Sequence, residues 1–417
     1  LHEILFGKSK VHIFLHILSL FCNFDLIYKQ RSLLMKKYLL PHLLFAFFTV
    51  FSLDAFACTS AIVSGKLTAN GRPLLWKNRD TDEQHNRVKR IPARDGKFEF
   101  VGLFDAKDRQ DSAVWIGFNE KGFAIMNTAS YNLKDDDVKE MDKEGIVMRL
   151  ALERCATVDD FEAMLNNMPK PRRVEANFGV IDALGNAAYF ETCNSVYKKF
   201  DVNDSPLGIL TRTNYSYSGR IDEGLGYIRE QNEIELIRPH ILKKDFTPAV
   251  FTEEVAKTFY HSVLGQDFTH SGMQWLVDQD FISRSITTAT TVIEGVLPGE
   301  DACLTTMWVE LGYPPCAEVS AVWLGANGVP IELQGRGENN HAPQCDVVNE
   351  REKDVFSIQR GNGAKYVNLS KLYNAQNTGY CQVLIPKNLE TYKRGYEVLL
   401  QRRQALATSA KNRKKKR

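Results

Sequence analysis

Apolar and polar positions alternate in short runs over three parts of the chain, 58–80, 97–127 and 177–215, and a period of two predicts strands. Thr59 to Val63 reads as a strand, Asn70-Gly71 is a hairpin turn signal, and Pro73 to Asp80 reads as the returning strand. Gly117 to Asn127 reads as strand, turn and strand, with the turn at Asn119 to Gly122; Asn177 to Glu191 reads as a hairpin turning at Leu184-Gly185-Asn186. Between these runs the period lengthens. Asp142 to Asn167 reads as helix, with Val147, Leu150, Leu152, Cys155, Phe161 and Leu165 apolar, and a break near Thr157. There Thr157 would cap a second helix, with Asp160 completing a capping box. Phe251 to Leu264 and Ser271 to Val277 read as further helices, Thr287 to Ile293 and Val319 to Leu324 as strands, and Leu389 to Ala407 as a basic C-terminal helix. Runs of strands separated by pairs of helices predict an α+β chain of stacked sheets flanked by helices.

The first residues read differently. Met35-Lys36-Lys37 precedes an apolar run, Tyr38 to Leu53, and then Ala55-Phe56-Ala57 ahead of Cys58. A basic start, an apolar middle and an A-x-A ending form the pattern of a secretory signal peptide over 35–57, which implies a periplasmic or secreted protein. The 16-residue run is short of the ~20 residues a transmembrane helix needs, and an N-terminal anchor is the competing reading. The first Met is Met35, and Val11 to Tyr28 is apolar but carries His12, His16 and Asp25. Residues 1–34 are therefore read as an upstream translated segment, with a second membrane helix as the alternative. No stable membrane span is expected once the signal is removed.

Apolar residues make up 44% and charged residues 25%, a folded, globular composition that excludes a disordered or collagen-like chain. Lys+Arg 53 against Asp+Glu 51 leaves +2, which gives no electrostatic reason to expect nucleic acid as a partner. The tail from Lys411 to Arg417 is basic and reads as a solvated end, with weak binding to an anionic surface as the alternative. His85, His240, His261, His270 and His341 form no HExxH or other ligand spacing, and no P-loop or GxGxxG occurs, so neither a metal nor a cofactor is expected. Seven Cys follow residue 57, an odd number, so at least one thiol is expected free; Cys303 and Cys316 are candidates for a disulfide.

Cleavage after Ala57 would make Cys58 the first residue. One residue then holds an α-amine of pKa about 7.7–8.0 and a thiol of about 8.5, so the amine can take the thiol proton without a separate His. A lipidated Cys and an ordinary half-cystine compete with this reading, although Ala55-Phe56-Ala57 is a poor lipobox. The predicted hairpin returns Asp80 close to Cys58, where a carboxylate can orient the ammonium or the thiol.

Together these residues resemble the choloylglycine hydrolase and penicillin acyltransferase group of N-terminal-nucleophile (Ntn) hydrolases. Cys58-Thr59-Ser60 is similar to the group's Cys-Thr start, and Lys77-Asn78-Arg79-Asp80 to its R-N-x-D element, with Lys77 where the group has Arg. Gly117-Phe118-Asn119-Glu120-Lys121-Gly122 resembles a G-x-N-E-K-G turn and leads to Asn127, Gly208 to Asn214 resembles a strand ending in T-N, and Phe281-Ile282-Ser283-Arg284 resembles an S-x-S-R-F helix. Asn177 to Glu191 resembles a hairpin of the acyltransferase branch and is expected to give structural support.

The resemblance implies a four-layer αββα Ntn-hydrolase sandwich over 58–340, followed by a C-terminal extension over 341–417. It also implies Cys58 as nucleophile, Asp80 and Arg284 as its orienting pair, Asn127 and Asn214 at the oxyanion, and Lys77 and Arg79 as substrate contacts. The implied partner is a small-molecule acyl amide, cleaved at a linear C–N bond through a Cys58 thioester, with acyl transfer as a companion reaction. Self-association into a homo-oligomer is compatible with this. A secreted dipeptidase of the related Cys-Thr-start group and a non-catalytic lipid-anchored binding protein are the alternatives.

Overall fold

The computed structural model describes residues 57–361 and 364–415, with side chains to residue 408. Residues 1–34, the leader up to Phe56 and the side chains of the basic tail lie outside the described residues. From residue 57 onward the chain forms one unit. Its strands in chain order are β1 (Thr59–Val63), β2 (Leu74–Asp80), β3 (Asn86–Ile91), β4 (Phe100–Asp105), β5 (Ile116–Asn119), β6 (Ala124–Ala129), β7 (Ala176–Ile181), β8 (Ala187–Thr192) and β9 (Tyr197–Asp201). There follow β10 (Ile209–Arg212), β11 (Tyr260–His261), β12 (Gln266–Asp267), β13 (Trp275–Val277), β14 (Thr287–Glu294), β15 (Thr306–Leu311), β16 (Ser320–Val322), β17 (Ile358–Gln359) and β18 (Lys365–Asn368). The helices are α1 (Glu144–Arg154), α2 (Val158–Asn167), α3 (Tyr227–Lys243), α4 (Pro343–Val355), α5 (Leu369–Leu372) and α6 (Tyr380–Lys415).

Two large antiparallel sheets carry the architecture: six strands in the order β10-β1-β2-β14-β15-β16, and seven in simple succession from β3 to β9. Side chains alternate across a strand. Along β2, Leu75 enters the core between the sheets, while Leu74 and Trp76 enter the core on the other face. The inter-sheet core joins Ile62, Leu75 and Val309 to Val101, Phe118, Met126 and Ile181. Outside the seven-stranded sheet, Phe123, Phe178 and Phe190 pack with Met148 and Leu152 of α1 and Phe161 of α2. Outside the six-stranded sheet, Trp76, Val292 and Trp308 pack with Ile237 of α3, Phe251 and Tyr392 of α6. The order is helix, sheet, sheet, helix: the α+β, four-layer αββα sandwich that the resemblance implies. Gly395 lets α6 lie close on this face, since a Cβ there would stand 2.4 Å from the Trp308 ring.

The break in the predicted long helix falls where expected. Thr157 caps α2, and Thr157 and Asp160 form the full capping box. Elsewhere long-range pairing overrides local pattern. Val250–Glu254 is a stretch of π-helix running into one 3-10 turn, Val255–Lys257, and the chain then forms the β11–β12 hairpin rather than continuing as a helix to Leu264. Ser271 to Val277 is not a helix either, because Trp275 to Val277 pair with Tyr366 to Asn368, a partner no local window contains. Phe281 to Arg284 is a loop rather than a helix. Asn78 Nδ2 donates to Ile282 O, Ser283 Oγ donates to Ala256 O, and Thr287 Oγ1 accepts from Arg284 N, so its backbone is held from outside. The link between β1 and β2 is not a tight Asn70-Gly71 turn. It is a longer loop in which Thr68 bridges to Phe246 and Gly71 takes φ +78. Cys303 and Cys316 are free thiols in different clusters, Cys303 near Leu399 and Trp323, Cys316 with Tyr313 and Cys381, so the expected disulfide does not form.

One buried charge network ties α6 and the 250–257 segment to the six-stranded sheet. Lys257 Nζ donates to Glu253 at 2.6 Å and to Glu310 of β15 at 2.8 Å, and Asn388 of α6 donates to Glu310 at 3.0 Å. Removing one partner of a buried pair leaves the other charge without compensation. Lys257→Ala is expected to lower unfolding free energy by about 3–5 kcal/mol, measured by denaturant titration.

Candidate active site

The site is built on the start of β1 and the end of β2. Thr59 pairs with Asn78, and continuing that register sets Cys58 beside Arg79 and Ala57 beside Asp80. Cys58 is buried at 7% exposure, and Asp80 at 1%. Asp80 Oδ2 accepts from Arg284 Nη2 at 2.6 Å, and Oδ1 accepts from Thr287 Oγ1 at 2.6 Å. The same Arg284 nitrogen lies 3.5 Å from Ala57 O. Burial works against the Arg284 charge, but Asp80 outweighs it and lifts the pKa above its ordinary value.

Arg229, in the first turn of α3, holds the other side of the same segment. Its Nη1 donates to Cys58 O at 2.7 Å and to Thr59 Oγ1 at 2.8 Å, and its Nη2 donates to Asn214 Oδ1 at 2.8 Å. Burial, with the like charge of Arg284, pushes its pKa down to about 10. Asn214 also donates through Nδ2 to Ala129 O at 2.8 Å. Its amide is thus fixed on both ends, with one N–H left over.

Lys77 is 2% exposed. Its Nζ donates to Asn127 Oδ1 at 2.7 Å and to Trp115 O at 3.1 Å. With Oδ1 occupied, the Asn127 amide is oriented with its N–H groups away from the lysine. Burial pushes the Lys77 pKa down to about 8; Arg79 adds to the fall, while Cys58, Asp105 and Asp80 oppose it.

Arg79 is 4% exposed and is taken up by the protein itself: Nη2 lies 2.7 Å from Asp105, Nη1 donates to Asn86, and the guanidinium sits 4.8 Å from the Trp115 ring centre. These contacts join Arg79 of β2 to β4 and β3 of the other sheet. Lys77 is likewise buried, with its Nζ held by Asn127 and the Trp115 carbonyl.

The structure therefore brings Cys58, Asp80, Asn127, Asn214, Arg284 and Lys77 into one connected region. Sequence reasoning missed Arg229, Thr287 and Tyr131, whose hydroxyl is pushed up by burial and by the nearby Cys58. The available signal for Arg229 was helical spacing: Arg229, Glu233 and Ile237 share the buried side of α3. Arg212 is the last residue of β10. It donates to Glu191 at 2.7 Å with both side chains fully buried, joining β10 of one sheet to β8 of the other.

A family model described as acyl-coenzyme A:6-aminopenicillanic acid acyl-transferase matches residues 68–268. Over that span the chain is similar to that family. The match takes in Asp80, Asn127, Asn214 and Arg229 and leaves Cys58 and Arg284 outside it. No curated protein matches the chain at a significant level. Among solved structures, the chain is similar to a mutant conjugated bile acid hydrolase from Clostridium perfringens. Identity there is 14%, covering 64% of this chain and 92% of that one, with a TM-score of 0.39. It is similar to the N-acylethanolamine-hydrolyzing acid amidase ortholog of Caenorhabditis elegans at 16% identity, covering 58% and 94%, with a TM-score of 0.39. Penicillin V acylase from Agrobacterium tumefaciens gives 14% identity, 64% and 86% coverage, and a TM-score of 0.35.

Proposed function

We propose that the chain is an exported, periplasmic or secreted cysteine Ntn amidohydrolase that cleaves a linear C–N amide bond through a Cys58 thioester. The observation that carries this reading is the convergence of two arginines on residues 57–59. Arg284, held by Asp80, reaches the Ala57 carbonyl, and Arg229 grips the Cys58 carbonyl and Thr59. This is much buried charge to spend on one short segment, and it is explained if that segment becomes the reacting terminus.

Leader removal between Ala57 and Cys58 frees an amine next to Asp80 and Arg284. The amine takes the thiol proton, and the thiolate attacks the amide carbonyl. Asn127 and Asn214, with a backbone N–H, receive the oxyanion; one such donor is typically worth ~10²–10³ in rate. The protonated amine then gives its proton to the leaving amine, and water cleaves the thioester. An acceptor amine in place of water makes the step an acyl transfer. This route uses no cofactor and no metal.

The test is to isolate the processed protein, sequence its N-terminus and map the adduct of a thiol-reactive amide probe. A free Cys58 amine and a probe on Cys58 are expected. A terminus elsewhere, or a diacylglyceryl mass on Cys58, would sink the reading. Conjugated bile salts, N-acyl amines, penicillins, acylated lactones and dipeptides form the substrate panel, and turnover of dipeptides alone would favour a dipeptidase.

Lys77 makes a pH prediction. Its charge stands near the thiolate, so its loss on passing about pH 8 is expected to give kcat/KM a falling limb there. In Lys77→Met that limb should disappear and leave a lower plateau; a limb that persists would have another source. The stability sign is separate. With the folded pKa below the unfolded one, the native state is penalised most below pH 8, and the penalty is relieved as pH rises above it. Lys77→Met should remove that gain.

A further inference from the structure

A cluster away from Cys58 is left unexplained by this chemistry. His85, in the link between β2 and β3, meets His341 and Asp346 at the N-terminal end of α4. One ligand atom from each lies within 4.8 Å of the others. His341 Nδ1 is 3.1 Å from Asp346 Oδ1, and His85 Nε2 is 3.5 Å from the same oxygen. The two imidazoles stack with centroids 3.6 Å apart and planes 14° apart. All three side chains stand at the edge of a cavity of about 660 Å³, also lined by Gln84, Glu350, Glu352 and Lys365. The Glu83 carboxylate lies 4.0 Å from His85 Nδ1, the ring nitrogen that faces away from Asp346.

We propose that His85, His341 and Asp346 form a binding site for a divalent transition ion of the Zn²⁺ class. Two imidazole nitrogens and one carboxylate oxygen suit Zn²⁺, Co²⁺ or Ni²⁺ better than Mg²⁺ or Ca²⁺, which take oxygen sets. Three protein ligands leave a fourth position, and here it opens on the cavity, where water can fill it. Glu83 stands where an outer-shell carboxylate orients a ligating His through its other nitrogen. The rings are stacked rather than converging, so loading requires them to splay about a common ion. Their part exposure leaves room for that rotation. An ion here would fasten the β2–β3 link, which leads into Asn86 of β3 and through it to Arg79, to the C-terminal part of the fold.

The test is independent of Cys58 because it reads binding rather than turnover. The full processed chain, stripped with a chelator, is titrated with Co²⁺ and followed by its visible absorption, then with Zn²⁺ in competition. One ion per chain is expected, without the sulfur charge-transfer band that binding at one of the thiols would give. His85→Gln, His341→Gln and Asp346→Asn should each weaken binding by more than the ~10–100-fold that losing an outer-shell partner costs. Their far-UV circular dichroism should match the parent. In the unsubstituted chain Zn²⁺ should protect His85 and His341, but not His270, from carbethoxylation. Absence of saturable uptake at millimolar ion, a sulfur band, affinity unchanged in the variants, or lack of protection would each overturn the proposal.

Discussion

Cys58→Ala is expected to fold as the parent does and to form no acyl-enzyme. The substitution removes one sulfur at the edge of the core. It leaves the backbone groups that Arg229 grips, because those contacts go to the Cys58 carbonyl and to Thr59 Oγ1. Thermal unfolding should therefore move little. Turnover should fall on the order of 10⁶-fold, the scale seen when a catalytic nucleophile is deleted. Intact mass after incubation with an amide substrate is the direct check: an acyl adduct on the parent and none on the variant. Normal turnover by the variant would remove Cys58 from the chemistry, whatever the terminus.

Asp80→Asn should cost on the order of 10²-fold in kcat, the scale of a mispositioned reacting group. Asp80 is fully engaged, accepting from Thr287 and from Arg284 at 2.6 Å each. An amide keeps the shape but loses the charge, so the Arg284 guanidinium loses its counter-ion and the pair no longer orients the freed Cys58 amine. A fall in kcat with KM little changed is the expected signature. A rise in KM alone would move Asp80 to substrate binding, and unchanged kinetics would make it structural. Thermal melts run in parallel separate this from a loss of folded protein, because part of the Arg284 charge is solvated at 18% side-chain exposure.

The sequence made the sheets legible wherever one strand face was apolar and the partner lay nearby. The β5–β6 and β7–β8 hairpins and the capping box at Thr157 are local structures with local signals. Elements whose partner is remote were misread. Trp275 to Val277 has helix-compatible residues, yet pairs with a strand about ninety positions later. Phe281 to Arg284 was expected as helix on resemblance, and it is held as a loop by Asn78, Ser283 and Thr287. The site was partly legible for the same reason. Asp80 is close to Cys58 through one hairpin, and a motif marked Asn127, Asn214 and Arg284. Arg229 had neither advantage: it is a charged residue inside an ordinary amphipathic helix, and its partners lie on β1 and beyond β10. His85 and His341 are separated by most of the chain, so no spacing rule could pair them.

The position of the last helix limits how this protein can be shortened. Trp308 is fully buried and rests against Tyr392 and Tyr396, and Gly395 crosses directly over its ring. A recombinant fragment trimmed back to the family-matched span would lose β14 and β15, and one ending near residue 340 would keep both strands but bare an indole-rich flank to water. Such a fragment would be prone to clump during expression, so the C-terminal helix should travel with the six-stranded sheet in any library, fusion or transplant built from this chain.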